Sequence, residues 1–298
     1  MKRASVLLGA LVLAACSRGT AQVSPPANYS PPNLSFPSPE SSSTPTPSHV
    51  FVIVLENRSY SQVVGSGYIA QLAQRYAYTT DYHGVSHPSL PNYLALTSGT
   101  TYGITDDGWH NLPAGGLGAE LTAAGIDWRA YMEGMSSGCY RSPYPYALKH
   151  NPFAYYGGTC PSQVVPFTQF AGDMLGNLPR FIWITPDLCH DGHDCSNSTV
   201  NAWLSQTVPT ILDSSAWQDN GVLFITWDEG EDTANSVLTL VIHPDPLTHR
   251  SDKSYNHYSL LATIEDELGV PRLGGAVQAT AIDDLLATQP LPRSRQKM

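Results

Sequence analysis

His49-Val50-Phe51-Val52-Ile53-Val54-Leu55-Glu56-Asn57-Arg58-Ser59 is the stretch that decides the fold. The run from Val50 to Leu55 is rich in β-branched residues and has no polar break. It therefore lacks the alternation of a strand that is wet on one side, and reads as a strand buried on both faces of a parallel sheet. It stops abruptly at Glu56-Asn57-Arg58-Ser59, and the carboxyl ends of strands in open α/β sheets are where ligands bind. Comparable apolar runs recur at Phe181–Thr185, Gly221–Trp227 and Val237–Ile242, with a shorter one near Asp127–Met132. Helical spacing separates them at Tyr68–Tyr76, after Ser89, at Ala114–Gly125, at Val200–Leu212, and from Tyr255 to Leu268. Strands alternating with helices predict an α/β fold, a single domain with a mostly parallel central sheet flanked by helices.

The 298 residues carry 25 acidic and 15 basic side chains, a formal charge of -10, which leaves no electrostatic case for nucleic-acid binding. Met1-Lys2-Arg3 precedes a short apolar run, Ala4 to Ala15, which reads as a secretory leader too short to span a bilayer permanently. It ends in Leu13-Ala14-Ala15-Cys16, which resembles the lipobox of a bacterial lipoprotein. That resemblance implies cleavage after residue 15, lipidation of Cys16, and a membrane-anchored protein of the bacterial cell envelope. The competing reading is an ordinary signal peptide cut later, for example after Ala21. Residues 16–48 are rich in Pro, Ser and Thr and form a semi-rigid tether, so the folded domain is expected at 49–298. Export permits disulfides among the four remaining cysteines. Three pairings are possible, and Cys139–Cys160 with Cys189–Cys195 are expected because each closes a short Gly/Pro-rich loop. A zinc site is the alternative, but no CxxC spacing supports it.

Three of the apolar strands end in ionisable clusters. These are Glu56-Asn57, the segment from Asp187 to Asp194 between Cys189 and Cys195, and Asp228-Glu229. Parallel strands point one way, so all three clusters should meet at one edge of the sheet. Like charges at close range are costly unless a cation or proton neutralises them, and oxygen ligands with one or two imidazoles suit a divalent metal ion. Ser89, with Pro91 two residues on and Gly99 as a stop, reads as the N-cap of a helix. There the helix dipole and unpaired N–H groups favour a phosphate, or an alkoxide that attacks one. Taken alone, the stretch favours a plain capping serine. Gly134–Gly158 is long for a connection and reads as a functional cover. Arg58 is either a phosphate clamp or a surface residue, while Glu265-Asp266-Glu267 reads as the wet face of a helix.

Five ordered motifs carry a resemblance: Val54-Leu-Glu-Asn-Arg-Ser-Tyr60, His87-Pro-Ser-Leu-Pro-Asn-Tyr-Leu-Ala-Leu-Thr-Ser-Gly99, Thr185-Pro-Asp-Leu-Cys-His-Asp-Gly-His-Asp-Cys195, Thr226-Trp-Asp-Glu-Gly230 and Tyr255-Asn-His-Tyr-Ser-Leu-Leu261. From about His49 to about Ala276 the chain resembles the bacterial phosphoesterase family of the alkaline-phosphatase-like superfamily. That family contains acid phosphatases, phosphoinositide phosphatases and phospholipase C-type enzymes. The resemblance implies an alkaline-phosphatase-like fold and a metal-dependent phosphomonoesterase. Ser89, rather than Ser86, would be the nucleophile, passing through a phosphoserine. Glu56, Asn57, Asp228 and Glu229 would hold a divalent metal beside Ser89. His193 and His257 would contact the phosphoryl group or assist the leaving group, with Asp191 and Asp194 near them, and Lys149-His150 would lie by the phosphate. The superfamily's second zinc site, built on Asp and two His, does not map cleanly onto the chain. The implied partner is a phosphorylated small molecule or a phospholipid, with phosphoinositides among the candidates. Two other readings remain open from sequence: a phospholipase C-type phosphodiesterase, and a non-enzymatic envelope lipoprotein whose acidic loops merely hold a cation.

Overall fold

The Val50–Leu55 run forms β1, and all six of its residues are buried. This follows from its place in the sheet of the computed structural model, which describes residues 48–244 and 250–286. The leader, Cys16, the tether up to residue 47, His249 and the last residues of the domain lie outside the described residues. The remaining strands are β2 (Ala77–Thr79), β3 (Tyr82–His83), β4 (Trp128–Met132), β5 (Val164–Pro166), β6 (Phe181–Thr185), β7 (Val222–Trp227), β8 (Thr239–Ile242), β9 (Arg250–Ser251) and β10 (Tyr255–Asn256). Eight of them make one sheet in the order β5-β4-β6-β1-β7-β8-β2-β9, and β3 pairs with β10 separately. The sheet is parallel except around β8, which runs antiparallel to both β7 and β2.

Helices cover the sheet as expected for strands that are apolar on both faces. They are α1 (Tyr60–Val63), α2 (Gly67–Arg75), α3 (Ser89–Ser98), α4 (Gly116–Ala123), α5 (Phe170–Asp173), α6 (Asn197–Leu212), α7 (Ser215–Gln218) and α8 (His257–Leu268). None of them is long and apolar enough to cross a membrane. Every residue of α3 is buried, so it has no wet face, and its polar residues Ser89, Asn92, Thr97 and Ser98 all hydrogen-bond within the protein. Gly99 ends α3 at φ 70°, and a Cβ there would lie 2.2 Å from the Leu273 carbonyl oxygen, so only glycine fits. The Gly99 carbonyl in turn accepts the Gly275 amide at 2.7 Å. Both expected disulfides are present, Cys139–Cys160 and Cys189–Cys195.

One sequence expectation is corrected here. Glu265 is not on a wet face but fully buried in α8. Its Oε1 accepts the Leu273 amide at 2.9 Å, so it holds the same turn that closes over the end of α3. Its Oε2 is buried and has no hydrogen-bond partner. Burial pushes the Glu265 carboxyl up to about 8; nearby Glu120 and Asp266 act in the same direction, while the Leu273 amide and Arg272 oppose them. An unfolded glutamate ionises near pH ~4.3, so between that value and about 8 the folded chain holds a proton that the unfolded chain has lost. Stability from this group is complete below the unfolded value and drains away as pH rises through the folded one. Glu265→Gln should therefore flatten the fall in melting temperature between about pH 5 and about pH 8, measured by calorimetry. An unchanged slope would place the pH sensitivity elsewhere.

Candidate active site

The central strands deliver the acids in register. Val50 of β1 lies opposite Val222 of β7 and Leu55 opposite Trp227, so Glu56 and Asp228 leave the sheet side by side. The Asp228 amide donates to the Leu55 carbonyl at 3.0 Å, and the Glu56 amide donates to the Asp191 carbonyl at 3.0 Å. The loop after β6 thus curls back over the end of β1. Glu56, Asp191 and Asp228 are all fully buried. The edge expected from parallel strand polarity exists, and it lies beneath the surface.

Ser89 arrives at that edge on α3. Pro88 is the N-cap residue and Ser89 the first helical residue, one position later than the sequence pattern suggests. The Ser89 hydroxyl consequently does not cap its own helix but donates to Glu56 Oε2 at 2.9 Å. Asp107 supplies a cap instead, its Oδ1 accepting the Leu90 amide at 2.9 Å. The other Asp107 oxygen accepts from Lys149 Nζ at 3.0 Å, which places that ammonium 3.5 Å from Ser89 Oγ and 3.4 Å from His193 Nε2. His193 Nδ1 is held by Asp194 at 2.7 Å, and the His193 amide donates to Asp191 Oδ1 at 2.7 Å. Ser89, Glu56, Lys149, His193, Asp191 and Asp194 are therefore one connected group.

His150 lies deeper, with its ring stacked on Tyr93 at 5.2 Å. Its Nε2 is 3.2 Å from Glu56 Oε1 and its Nδ1 is 3.2 Å from Asp191 Oδ2. The angles of these contacts are poor, and all four atoms are buried without a formal hydrogen bond. They are best described as electrostatic contacts. Burial alone would push the His150 imidazole down, but Glu56 and Asp191 hold it up at about 9, as a cation. Burial raises Glu56 too, yet His150 beside it outweighs this and leaves the carboxyl below its usual range. Asp228 is pushed well up, first by burial and then by Glu56 and Glu229. Burial would also depress the Lys149 ammonium, but Glu56, Asp107 and Asp228 hold it up.

A divalent cation fits the donor set at the strand ends. Glu56 Oε1, Asn57 Oδ1 and Asp228 Oδ2 are buried oxygens without hydrogen-bond partners, a costly arrangement for a site that takes no ligand. Asn57 adopts φ 39°, a left-handed conformation that asparagine tolerates. Its Nδ2 donates to Glu229 Oε1 at 3.1 Å, which leaves the amide oxygen as its donor to a ligand. A second convergence of possible ligands, Glu133, Asp187 and His190, has a different character. Asp187 Oδ1 accepts the amides of Cys189 and His190, and Glu133 accepts from the Asp187 amide and the Trp203 indole. Through these bonds the triad braces the loop around the Cys189–Cys195 disulfide.

Two sequence readings change. His257 is fully buried, with Nδ1 3.1 Å from the Tyr82 hydroxyl and Nε2 2.5 Å from the Asp228 carbonyl. Both ring nitrogens are taken, so it cannot touch a phosphoryl group; it fixes the backbone from which the Asp228 side chain springs. Burial lowers its imidazole to about 4, consistent with a neutral strut. Arg58 is no clamp, because its guanidinium is spent on Glu231, Asn197 and the carbonyls of Asn57 and Cys195. Two residues join the site that sequence reasoning did not assign. His87 Nδ1 lies 2.5 Å from Glu229 Oε2, and its position two residues before Ser89 was the available signal. Asp107 had none, since it reaches Lys149 from 42 residues away.

Comparison with known proteins identifies the family. Residues 67–271 match the model of the Phosphoesterase family, a span that leaves Glu56 and Asn57 just outside it. The chain is 32% identical over 260 residues to a phosphatidylinositol-3-phosphatase of Mycobacterium tuberculosis, covering 82% of this chain and 84% of that one. It is 28% identical over 254 residues to a probable acid phosphatase of Kluyveromyces lactis, where it spans 75% of its own length but 59% of the relative's. A protein of the alkaline phosphatase superfamily from Vibrio parahaemolyticus shares the fold, with TM-score 0.58 and 13% identity over 80% of this chain and 72% of that one. The chain belongs to the phosphoesterase family, as a hydrolase of phosphoric esters built on the alkaline-phosphatase fold.

Proposed function

We propose that the chain is a cation-dependent phosphomonoesterase that works through a phosphoserine at Ser89. One observation carries the reading: the Ser89 hydroxyl donates to Glu56 at 2.9 Å, beside the Lys149 ammonium and next to buried oxygens that lack partners. Glu56, Asn57, Asp228 and Glu229 would hold a divalent metal ion, which when bound neutralises phosphoryl oxygen charge and acidifies a neighbouring hydroxyl.

The protein's own groups perform the remaining work. Lys149, held by Asp107, draws the phosphate dianion to the N-terminus of α3, whose dipole favours the incoming charge. Glu56 Oε2 takes the Ser89 proton as Oγ bonds to phosphorus in line with the departing alcohol oxygen. His193, oriented by Asp194 and open to the mouth of the site, gives that oxygen a proton as the P–O bond breaks. The same imidazole then takes a proton from water, whose oxygen attacks phosphorus from the side the alcohol left, and Ser89 recovers its proton from Glu56. Phosphoinositides and other phosphomonoesters are the substrate class suggested by the names of the relatives. We further propose that Cys16 carries a lipid anchor, which would bring the site to a membrane.

Ser89→Ala should reduce phosphate release from a chromogenic monoester by more than ~10³-fold with melting temperature and metal content unchanged, since alanine suits the first turn of a helix. Turnover persisting in that variant rejects the nucleophile. Dialysis against a chelator should abolish activity and readdition of a divalent ion should restore it, whereas chelator-resistant hydrolysis would remove the metal from the scheme. Radiolabelled palmitate should appear on the wild-type protein in a bacterial host and not on Cys16→Ser; equal labelling or none would rule out the anchor.

A further inference from the structure

Arg58 is bonded more fully than a surface arginine needs, and the proposed chemistry uses none of its bonds. Its Nε donates to Asn197 Oδ1 at 3.2 Å and its Nη2 to the Cys195 carbonyl at 3.1 Å. Its Nη1 donates to the Asn57 carbonyl at 2.7 Å and to Glu231 Oε1 at 3.2 Å. One further residue closes these bonds into a circuit. Glu231 Oε2 accepts from Gln62 Nε2 at 2.6 Å, and the Gln62 carbonyl accepts from Asn197 Nδ2 at 3.0 Å. The circuit joins the segments that follow β1 and β7 to α1 and to the start of α6. The Cys195 carbonyl adds the disulfide-closed loop that bears His193.

The ion pair by itself is a weak reason for this arrangement. The Glu231 side chain is 51% exposed, and a pair in that setting contributes little to stability. What the fork of Arg58 does fix is Asn57. The Asn57 φ of 39° is left-handed, a conformation that persists in a non-glycine residue only where its surroundings impose it. Its carbonyl is held by Arg58, its Nδ2 donates to Glu229 Oε1 at 3.1 Å, and its amide points to Asp228 Oδ1 at 3.4 Å. Its remaining polar atom, Oδ1, is buried without a partner.

We propose that Arg58 is a positioning residue for the cation site, whose planar fork locks the Asn57 backbone in the left-handed state that leaves Oδ1 bare for a divalent ion. The inference rests on the cation-dependent reading above and names what preorganises one of its ligands. Lysine is no substitute, because one ammonium cannot reproduce the fixed directions of the guanidinium donors. The charge of Arg58 works against its role, since a positive group beside a cation site opposes binding. Charge and positioning therefore predict opposite outcomes when the guanidinium is removed.

The test is calorimetric titration of Mn²⁺ into the whole purified chain after chelator treatment, with melting temperature recorded for each variant. Arg58→Lys and Arg58→Met should each weaken Mn²⁺ binding by roughly 10- to 100-fold. Asn57→Ala should weaken it comparably, and adding Arg58→Met to Asn57→Ala should weaken it no further, because the group through which Arg58 acts is already gone. Additive losses, or an affinity that is unchanged or raised in Arg58→Met, overturn the proposal. Normal affinity with a lowered melting temperature makes the circuit a structural brace only, and overturns it as well. Should Arg58→Met fail to fold, Arg58→Lys, which keeps the stem and the charge, decides by the same readings. Wild-type protein that binds no Mn²⁺ rejects the cation of the proposed function and this inference together, whereas wild-type binding that the Arg58 variants share rejects the inference alone.

Discussion

Negative charge held out of water is the constraint on which this structure depends. Glu56, Asp191 and Asp228 lie at zero exposure where three parallel strands end. Such a group is tolerable only if cations or protons accompany it, because isolated buried charge costs far more than a domain's net stability. His150 wedged between Glu56 and Asp191 supplies one positive charge, and Lys149 at the rim supplies another. The acids nevertheless still expose orphaned oxygens to one another. A fold that retained them without a ligand would gain by replacing them with apolar residues, and that cost is what the proposed cation would relieve.

The strand ends were legible in the sequence because they obey two simple rules. Unbroken apolar runs such as Val50–Leu55 and Val222–Trp227 must be covered on both faces, and parallel strands deliver their carboxyl ends to one edge. Helix α3 was equally visible, down to Gly99, whose φ of 70° and closeness to Leu273 admit no side chain. The short strands at the sheet margins were not. β2, β5 and β9 have two or three residues each, too few to show any period, and they exist because a neighbour offers its edge.

Side-chain direction was the other thing hidden from a one-dimensional reading. His257 and His193 look alike as motif histidines, yet one turns inward to Tyr82 and the Asp228 carbonyl while the other opens toward Lys149. Nothing in the spacing distinguishes them, since the difference is set by which face of α8 meets the sheet and by the curl of the loop at Gly192. Glu265 misled for the same reason. A run of three acids suggests a wet helical face, but the helix axis rotates about 100° per residue and carries the first of them into the core.

Around the buried acids stands a second set of carboxylates with the opposite duty. Asp107 holds Lys149, Asp194 holds His193, and Glu229 holds His87, each through a contact of 3.0 Å or less. The inner acids are short of partners, as ligands of the proposed cation would be, whereas the outer acids are satisfied and each holds a basic group in place. This division resolves an apparent conflict in a chain whose formal charge is -10. A phosphate dianion approaching such a protein is repelled at long range, but that repulsion is screened within about 10 Å at ordinary ionic strength. Inside that distance it meets an ammonium and imidazoles, each fixed in advance by its own carboxylate. The electrostatics that matter are therefore local and preorganised, and pairing each basic side chain with its own carboxylate is what keeps them in place before any substrate arrives.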